Sequence, residues 1–263
     1  MTKRLIPFFI LSVIATLSVI YYPLCGLAVT LIIIIGLYEF FYMVEKKGVQ
    51  LFKLLGLLVG AFIPITIYFR LPVREGLQFL FVVIGIFILF LLELTKKNTQ
   101  ESVLSISATV FGVIYISWCF SFLIRIRQLP EGILLTGFLV LVTKSSDVGA
   151  YLWGKKFGKT SLIKRISPKK SLEGAICGFF TSICVGILFS FFIETINFWE
   201  KFFVVIILAV ISQLGDLFES LIKRDCKVKD SGKLFWGMGG VLDVIDSLIF
   251  TAPTFYLYLT MMR

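Results

Sequence analysis

Residues 202–222 read FFVVIILAVISQLGDLFESLI, and the fold turns on this stretch. Interior strands run about 5–6 residues, whereas about 20 largely apolar residues are what a helix needs to cross a bilayer. The stretch therefore reads as a membrane-spanning helix. Its last third breaks the pattern, because Asp216, Glu219, Ser220 and then Lys223 recur at helical spacing and share one face. An ionisable group inside a membrane costs a few kcal/mol and normally faces a protein-lined or watered cavity. This helix is expected to span and also to present a polar stripe to neighbours.

Outward from it, further apolar runs begin near residues 5, 24, 52, 77, 103, 133, 175 and 241. They predict an all-α integral membrane protein with about nine transmembrane helices. Of the 263 residues, 58% are hydrophobic and 16% charged, and the mean hydropathy is +0.98, where a soluble domain carries about 25% charged residues. A water-soluble protein is excluded. Lys3 and Arg4 precede the first run as in a signal peptide, but no small-residue cleavage site precedes Tyr21, Tyr22 and Pro23, so a retained first helix is expected. The net charge of +10 would point to nucleic acid in a soluble protein. Here most of the 26 Lys and Arg fall on one side when the N-terminus is placed in the cytoplasm, above all in segments 154–174 and 223–240. The positive-inside rule then gives an N-in/C-out chain with no nucleic acid partner. Residues 1–132 form a scaffold of about five helices, with Glu39 and Glu93 snorkelling to the interface. Residues 133–263 are expected to form a second, polar-studded region of about four helices around a cytoplasm-facing cavity, the place where chemistry would lie.

Histidine is absent, which removes imidazole bases, His metal ligands and Ser-His or Cys-His nucleophile pairs. The five cysteines form no CxxC pair and lie mostly in apolar runs, as packing residues. Any metal chemistry must rest on carboxylates. Lys144, Asp147 and Tyr151 share a face of the sixth span, and Asp243, Asp246 and Ser247 a face of the ninth. Ion pairs Lys144–Asp147 and Glu219–Lys223 would explain two of the stripes, but the ninth span has two Asp and no cation within it. Asp243 and Asp246, joined by Asp216 or Asp147, would gather carboxylate oxygens around one point. Mg²⁺ suits such a set, because it takes hard oxygen ligands and completes its shell with substrate phosphates. Ion transport is the rival use of intramembrane acids, although no inverted repeat or pair of broken helices is visible. Gly154 to Thr160 is one residue short of a Walker A motif and follows an apolar span rather than a strand. It reads as a cationic Gly-rich loop able to approach a triphosphate. Ser171 is the expected N-cap of the next span, and Gly237, Gly239 and Gly240 form a turn just before Asp243.

The run Ser220-Leu221-Ile222-Lys223-Arg224, continued by Lys229-Asp230-Ser231-Gly232, Gly237, Gly239-Gly240 and Asp243, is similar to the signature of the CDP-diacylglycerol synthase family, the phosphatidate cytidylyltransferases. Gln213, Gly215-Asp216-Leu217 and Glu219 resemble its preceding helix. Asp147-x-Gly149-Ala150-Tyr151-x-x-Gly154 and Ser167-Pro168-Lys169-Lys170-Ser171-x-Glu173-Gly174 resemble its other polar blocks, so the likeness covers about residues 143 to 247. Trp236, Met238 and Val244 stand where the family commonly has Pro, His and Arg. The resemblance implies the reaction CTP + phosphatidate → CDP-diacylglycerol + pyrophosphate, with Mg²⁺, a monovalent cation such as K⁺, and a homodimer in a bacterial cytoplasmic membrane. It implies Asp216, Lys223, Arg224, Asp243 and Asp246 as the catalytic set, with Asp216, Asp243 and Asp246 on the metal and Lys223 and Arg224 on phosphate. Substrate would be held by Asp147, Ser167, Lys169, Lys170, Ser220, Lys229, Asp230, Gly239 and Gly240. An ion-coupled transporter, or a binding paralogue altered at Met238 and Val244, are the alternative readings.

Overall fold

The computed structural model describes residues 12–70, 75–96, 101–194, 197–234 and 239–261; Trp236, Gly237 and Met238 lie outside them. The helices are α1 (12–20), α2 (Tyr22–Glu45), α3 (Lys53–Tyr68), α4 (Glu75–Leu94) and α5 (Ser102–Gly112). α5 continues through a π-helical turn, Val113–Trp118, into α6 (Cys119–Arg127). Then come α7 (Gly132–Phe157), a ribbon of β1 (Ser161–Ile163) and β2 (Ser167–Ser171), α8 (Leu172–Ser190), α9 (Phe198–Asp225) and α10 (Leu242–Met261).

Among the described residues, six helices are long and apolar enough to cross a membrane, counting Ser102–Arg127 as one. α3 (Lys53–Tyr68) is a shorter apolar helix, and α4 is apolar over Leu80–Leu94. The 16 residues of α3 extend about 24 Å, against a hydrocarbon core of about 30 Å. The chain is a multi-pass membrane protein.

Outer and inner faces are both apolar. Leu54, Leu58, Phe87, Phe180 and Leu188 are each at least 59% exposed, while Ile33, Leu37, Phe41, Ile116, Phe138, Leu208 and Phe255 are fully buried. Lipid accepts the first group as readily as the protein accepts the second, so small and polar residues mark the helix contacts. Ser182 of α8 donates to the Val142 carbonyl of α7 at 2.7 Å, and Gln213 of α9 donates to the Ala175 carbonyl of α8 at 2.8 Å.

Ser171 caps α8 as expected, its hydroxyl accepting from the Gly174 amide at 3.1 Å. The residues just before it differ from the expected loop, because β1 and β2 pair antiparallel. Glu173 secures this ribbon by accepting from the Lys159 and Thr160 amides, both at 3.1 Å. Arg224 at the end of α9 donates to the Ile166 carbonyl at 3.0 Å, and Lys47 meets Asp225 at 2.6 Å. The turn after α2, the ribbon and the end of α9 therefore lie at one end of the bundle. At another polar join, Arg127 donates to the carbonyls of Val19 and Ile20 at 2.7 and 2.9 Å.

Candidate active site

α9 and α10 come into close contact at Gly215, where a Cβ would stand 2.8 Å from the Asp246 carbonyl oxygen. Without that atom the two backbones can touch, and Asp216 and Glu219 come opposite Asp246. One carboxylate oxygen from each lies within 4.8 Å of the others. Glu219 is fully buried, Asp246 is 5% exposed and Asp216 is half-buried. Lys223, one turn on, pairs with Glu219 Oε2, and Oε1 has no hydrogen-bond partner among the described residues. Three carboxylates so close in a low-dielectric setting repel one another, and a bound cation relieves this.

Cations edge the group. Lys170 of β2 pairs with Asp216. Lys144 donates to Asp147 at 2.9 Å, and to the Val244 carbonyl and Ser247 hydroxyl of α10, both at 2.8 Å. Ser247 donates its hydroxyl to Asp147 at 3.0 Å and its amide to Asp246 at 2.6 Å. The ion pairs expected at helical spacing thus exist, and they border one shared site. At position 244, where the resemblance has Arg, the nearby cation is Lys144, reaching across from α7.

Asp243 sits elsewhere. Its Oδ1 accepts from Lys223 at 2.5 Å, and its Oδ2 accepts from the Ser231 amide at 2.9 Å and from the Ser231 hydroxyl and Gly240 amide at 2.8 Å. Of the expected metal set, Asp216 and Asp246 converge together with Glu219, whereas Asp243 lies across Lys223 with donors on both oxygens. Ser220 is buried and Ser167 half-buried; Lys169, Lys229 and Asp230 are exposed. Arg224 donates to backbone carbonyls of Ile166 and Val228. Gly239 takes a left-handed φ of 95°, and Gly240 supplies the amide to Asp243. Tyr151 is 60% exposed, off the buried face that Lys144 and Asp147 share.

Glu39 does not snorkel. It is 7% exposed and accepts from the Val241 amide at 3.0 Å, the Leu242 amide at 2.9 Å and the Ser231 hydroxyl at 3.0 Å. Tyr115 lies in the π-helical turn, its ring packed against Phe111, Phe218 and Phe250 and its hydroxyl buried without a hydrogen-bond partner. Nothing in the surrounding apolar run sets Tyr115 apart, although π-turns recur at functional sites. All five cysteines are free thiols. Burial, and then the Asp225 charge, push the Cys226 thiol above its ordinary pKa, which keeps it protonated and in keeping with a packing role.

A largely buried cluster of hard oxygen donors with lysines on its edge has the residue types that could hold a divalent cation and phosphate oxygens. The chain matches the family described as "Cytidylyltransferase family" over residues 2–262. It is 30% identical over 264 residues to a phosphatidate cytidylyltransferase of Synechocystis sp., covering 89% of this chain and 88% of the relative. It is 31% identical to that of Bacillus subtilis, covering 86% and 85%, and 37% identical to that of Staphylococcus haemolyticus, covering 67% of each. Carboxylates, lysines and whole-length likeness agree, and the chain belongs to the cytidylyltransferase family.

Proposed function

We propose that this protein transfers a cytidylyl group from CTP to phosphatidate, forming CDP-diacylglycerol and pyrophosphate. The observation that carries the reading is the convergence of Asp216, Glu219 and Asp246 beside Lys170, Lys144 and Lys223. The donor set fits Mg²⁺, with three carboxylates, two of them buried and one, Glu219, with a buried oxygen free of any hydrogen-bond partner among the described residues. In this reading Asp216, Glu219 and Asp246 hold the ion, which when bound neutralises charge on the triphosphate.

The chain's own groups do the positioning. Lys170, carried by the ribbon to the edge of the cluster, binds triphosphate oxygens, and Lys223, held by Glu219 and Asp243, sets a second positive charge beside the cluster for the phosphates. Asp147 and Ser247 fix Lys144. The phosphatidate phosphate is anionic near neutral pH, so one of its oxygens attacks the α-phosphorus directly. The new P–O bond forms as the bond to the pyrophosphate oxygen breaks, and no protein nucleophile or proton transfer is needed.

The same proposal includes nine crossings in an N-in/C-out arrangement, with α1, α3 and α4 added to the six long apolar helices. The basic segments then face the cytoplasm, CTP enters from there, and phosphatidate enters sideways from the inner leaflet of a bacterial cytoplasmic membrane. The homodimer and the monovalent cation implied by the resemblance belong to this proposal too. The test is purified protein in proteoliposomes with CTP, phosphatidate and Mg²⁺, each omitted in turn. CDP-diacylglycerol and pyrophosphate should form in equal amounts only when all three are present. Uptake or release of an ion without CTP, or no CDP-lipid from the complete mixture, contradicts the reading.

A further inference from the structure

The acid farthest in sequence from the cluster is tied to it by a continuous chain of polar contacts. The Glu39 carboxylate belongs to α2, yet it caps α10, because Leu242 is the first residue of that helix and Val241 the residue before it. An anion at a helix N-terminus meets unpaired amides and the positive end of the dipole. Ser231 extends the link, since its hydroxyl lies 3.0 Å from Glu39 and 2.8 Å from Asp243. A hydroxyl has one proton, so these two carboxylates share a single donor. Asp243 in turn holds Lys223, and Lys223 holds Glu219 of the convergent cluster.

The fit around Glu39 is close. A Cβ at Gly232 or Gly240 would collide with its carboxylate. Burying a carboxylate among neutral donors costs several kcal/mol unless the hydrogen bonds are good. A neutral staple would avoid that cost, but Gln offers one acceptor oxygen where three donors converge on two.

We propose that Glu39 is a positioning residue for the transfer reaction: reaching from α2, it fixes Ser231 and the start of α10 so that Asp243 aligns Lys223 at the carboxylate cluster. The inference rests on the cytidylyltransferase reading for its kinetic arm only. The experiment compares Glu39→Gln and Glu39→Ala with wild type, as full-length protein in proteoliposomes. It measures turnover, KM for CTP, and hydrogen exchange of the amides at 239–243.

Turnover should fall about 10-fold for Gln and about 100-fold for Ala, with KM for CTP changed less than about threefold, the pattern of a misaligned transition state. Exchange at Val241 and Leu242 should rise at least about 10-fold while residues 216–223 of α9 keep wild-type protection. Gly232→Ala should reduce turnover in the wild type, and by less in the Glu39→Ala background, where the collision with the carboxylate is gone and only the 3.2 Å contact with the Gly240 backbone remains. Turnover within about twofold of wild type in Glu39→Ala overturns the proposal. So does unchanged exchange at 241–242, or a loss of protection spread over all helices. If wild type itself makes no CDP-lipid, that result counts against the reaction, and the exchange data still decide the role of Glu39.

Discussion

The helices before residue 132 and those after it show the same apolar exterior and differ in what they bury. Inside the first group, polar side chains mostly satisfy backbone in the same helix or a packed neighbour, as Thr109 does with Ser105 at 2.8 Å and Ser117 with Gly60 at 2.5 Å. Inside the second, Lys144, Asp147, Glu219, Lys223 and Asp246 are held among the helices, joined by short contacts from α7, α9 and α10. In a bilayer, apolar burial scarcely distinguishes lipid from protein, so chemistry gathers where the residues are ones that lipid refuses. Glu39 is the informative exception, a carboxylate of the first group whose partners all belong to the second.

The contrast is most exposed at the cluster itself. Asp246→Asn should leave the protein folded in detergent, judged by size-exclusion profile, and lower CDP-lipid formation about 1,000-fold, as loss of one preorganised charge-stabilising group does. A drop of less than about tenfold would mean that buried acids in the second group are packing features like those of the first.

A smaller effect is expected at the edge. Lys170→Ala removes the partner of Asp216, and kcat/KM for CTP should fall about 10- to 100-fold, the worth of a charge-assisted hydrogen bond. An equal loss with phosphatidate as the varied substrate and none with CTP would reassign the ribbon to the lipid.

Gly215→Ala tests whether the crossing of α9 and α10 makes the site. The added methyl would meet the Asp246 carbonyl at 2.8 Å, and the strain should cost about 1–3 kcal/mol in thermal unfolding, with turnover lost alongside. Retained turnover would separate the crossing from the chemistry.

The smallest effect belongs to the exposed pair that joins the two groups at their surface. Lys47 and Asp225 have side chains 35% and 67% exposed, so Lys47→Ala should change stability by less than about 1 kcal/mol and leave turnover within about twofold. A larger effect would show that the groups are held together at the surface as well as by Glu39.

Much of this difference was legible in the sequence, because helical spacing predicts faces. Asp216, Glu219 and Lys223 share one, Lys144 pairs with Asp147, and Ser171 caps α8, as their spacing and type dictate. Which acid meets which across two helices depends on their crossing. Asp243 and Glu219 both contact Lys223, yet only Glu219 joins Asp216 and Asp246. Gly215 carried that signal, since it is where the backbones meet.

Glu39 departs from the interfacial position its sequence context predicts for a different reason. Its partners include two backbone amides, which have no letter in a sequence, and its place near a helix end favours the membrane interface until the start of α10 is found there instead. The ribbon escaped notice because strands of three and five residues are too short to show alternation around Pro168.

The central claim is tested most directly by following the label of CTP marked at its α-phosphate, with phosphatidate and Mg²⁺, in proteoliposomes of wild type and of Asp246→Asn. Wild type should move the label into an organic-extractable CDP-lipid with an equal amount of pyrophosphate released, and the variant should leave it in CTP. Label recovered as water-soluble CMP, or lipid labelled equally by both proteins, would contradict the account.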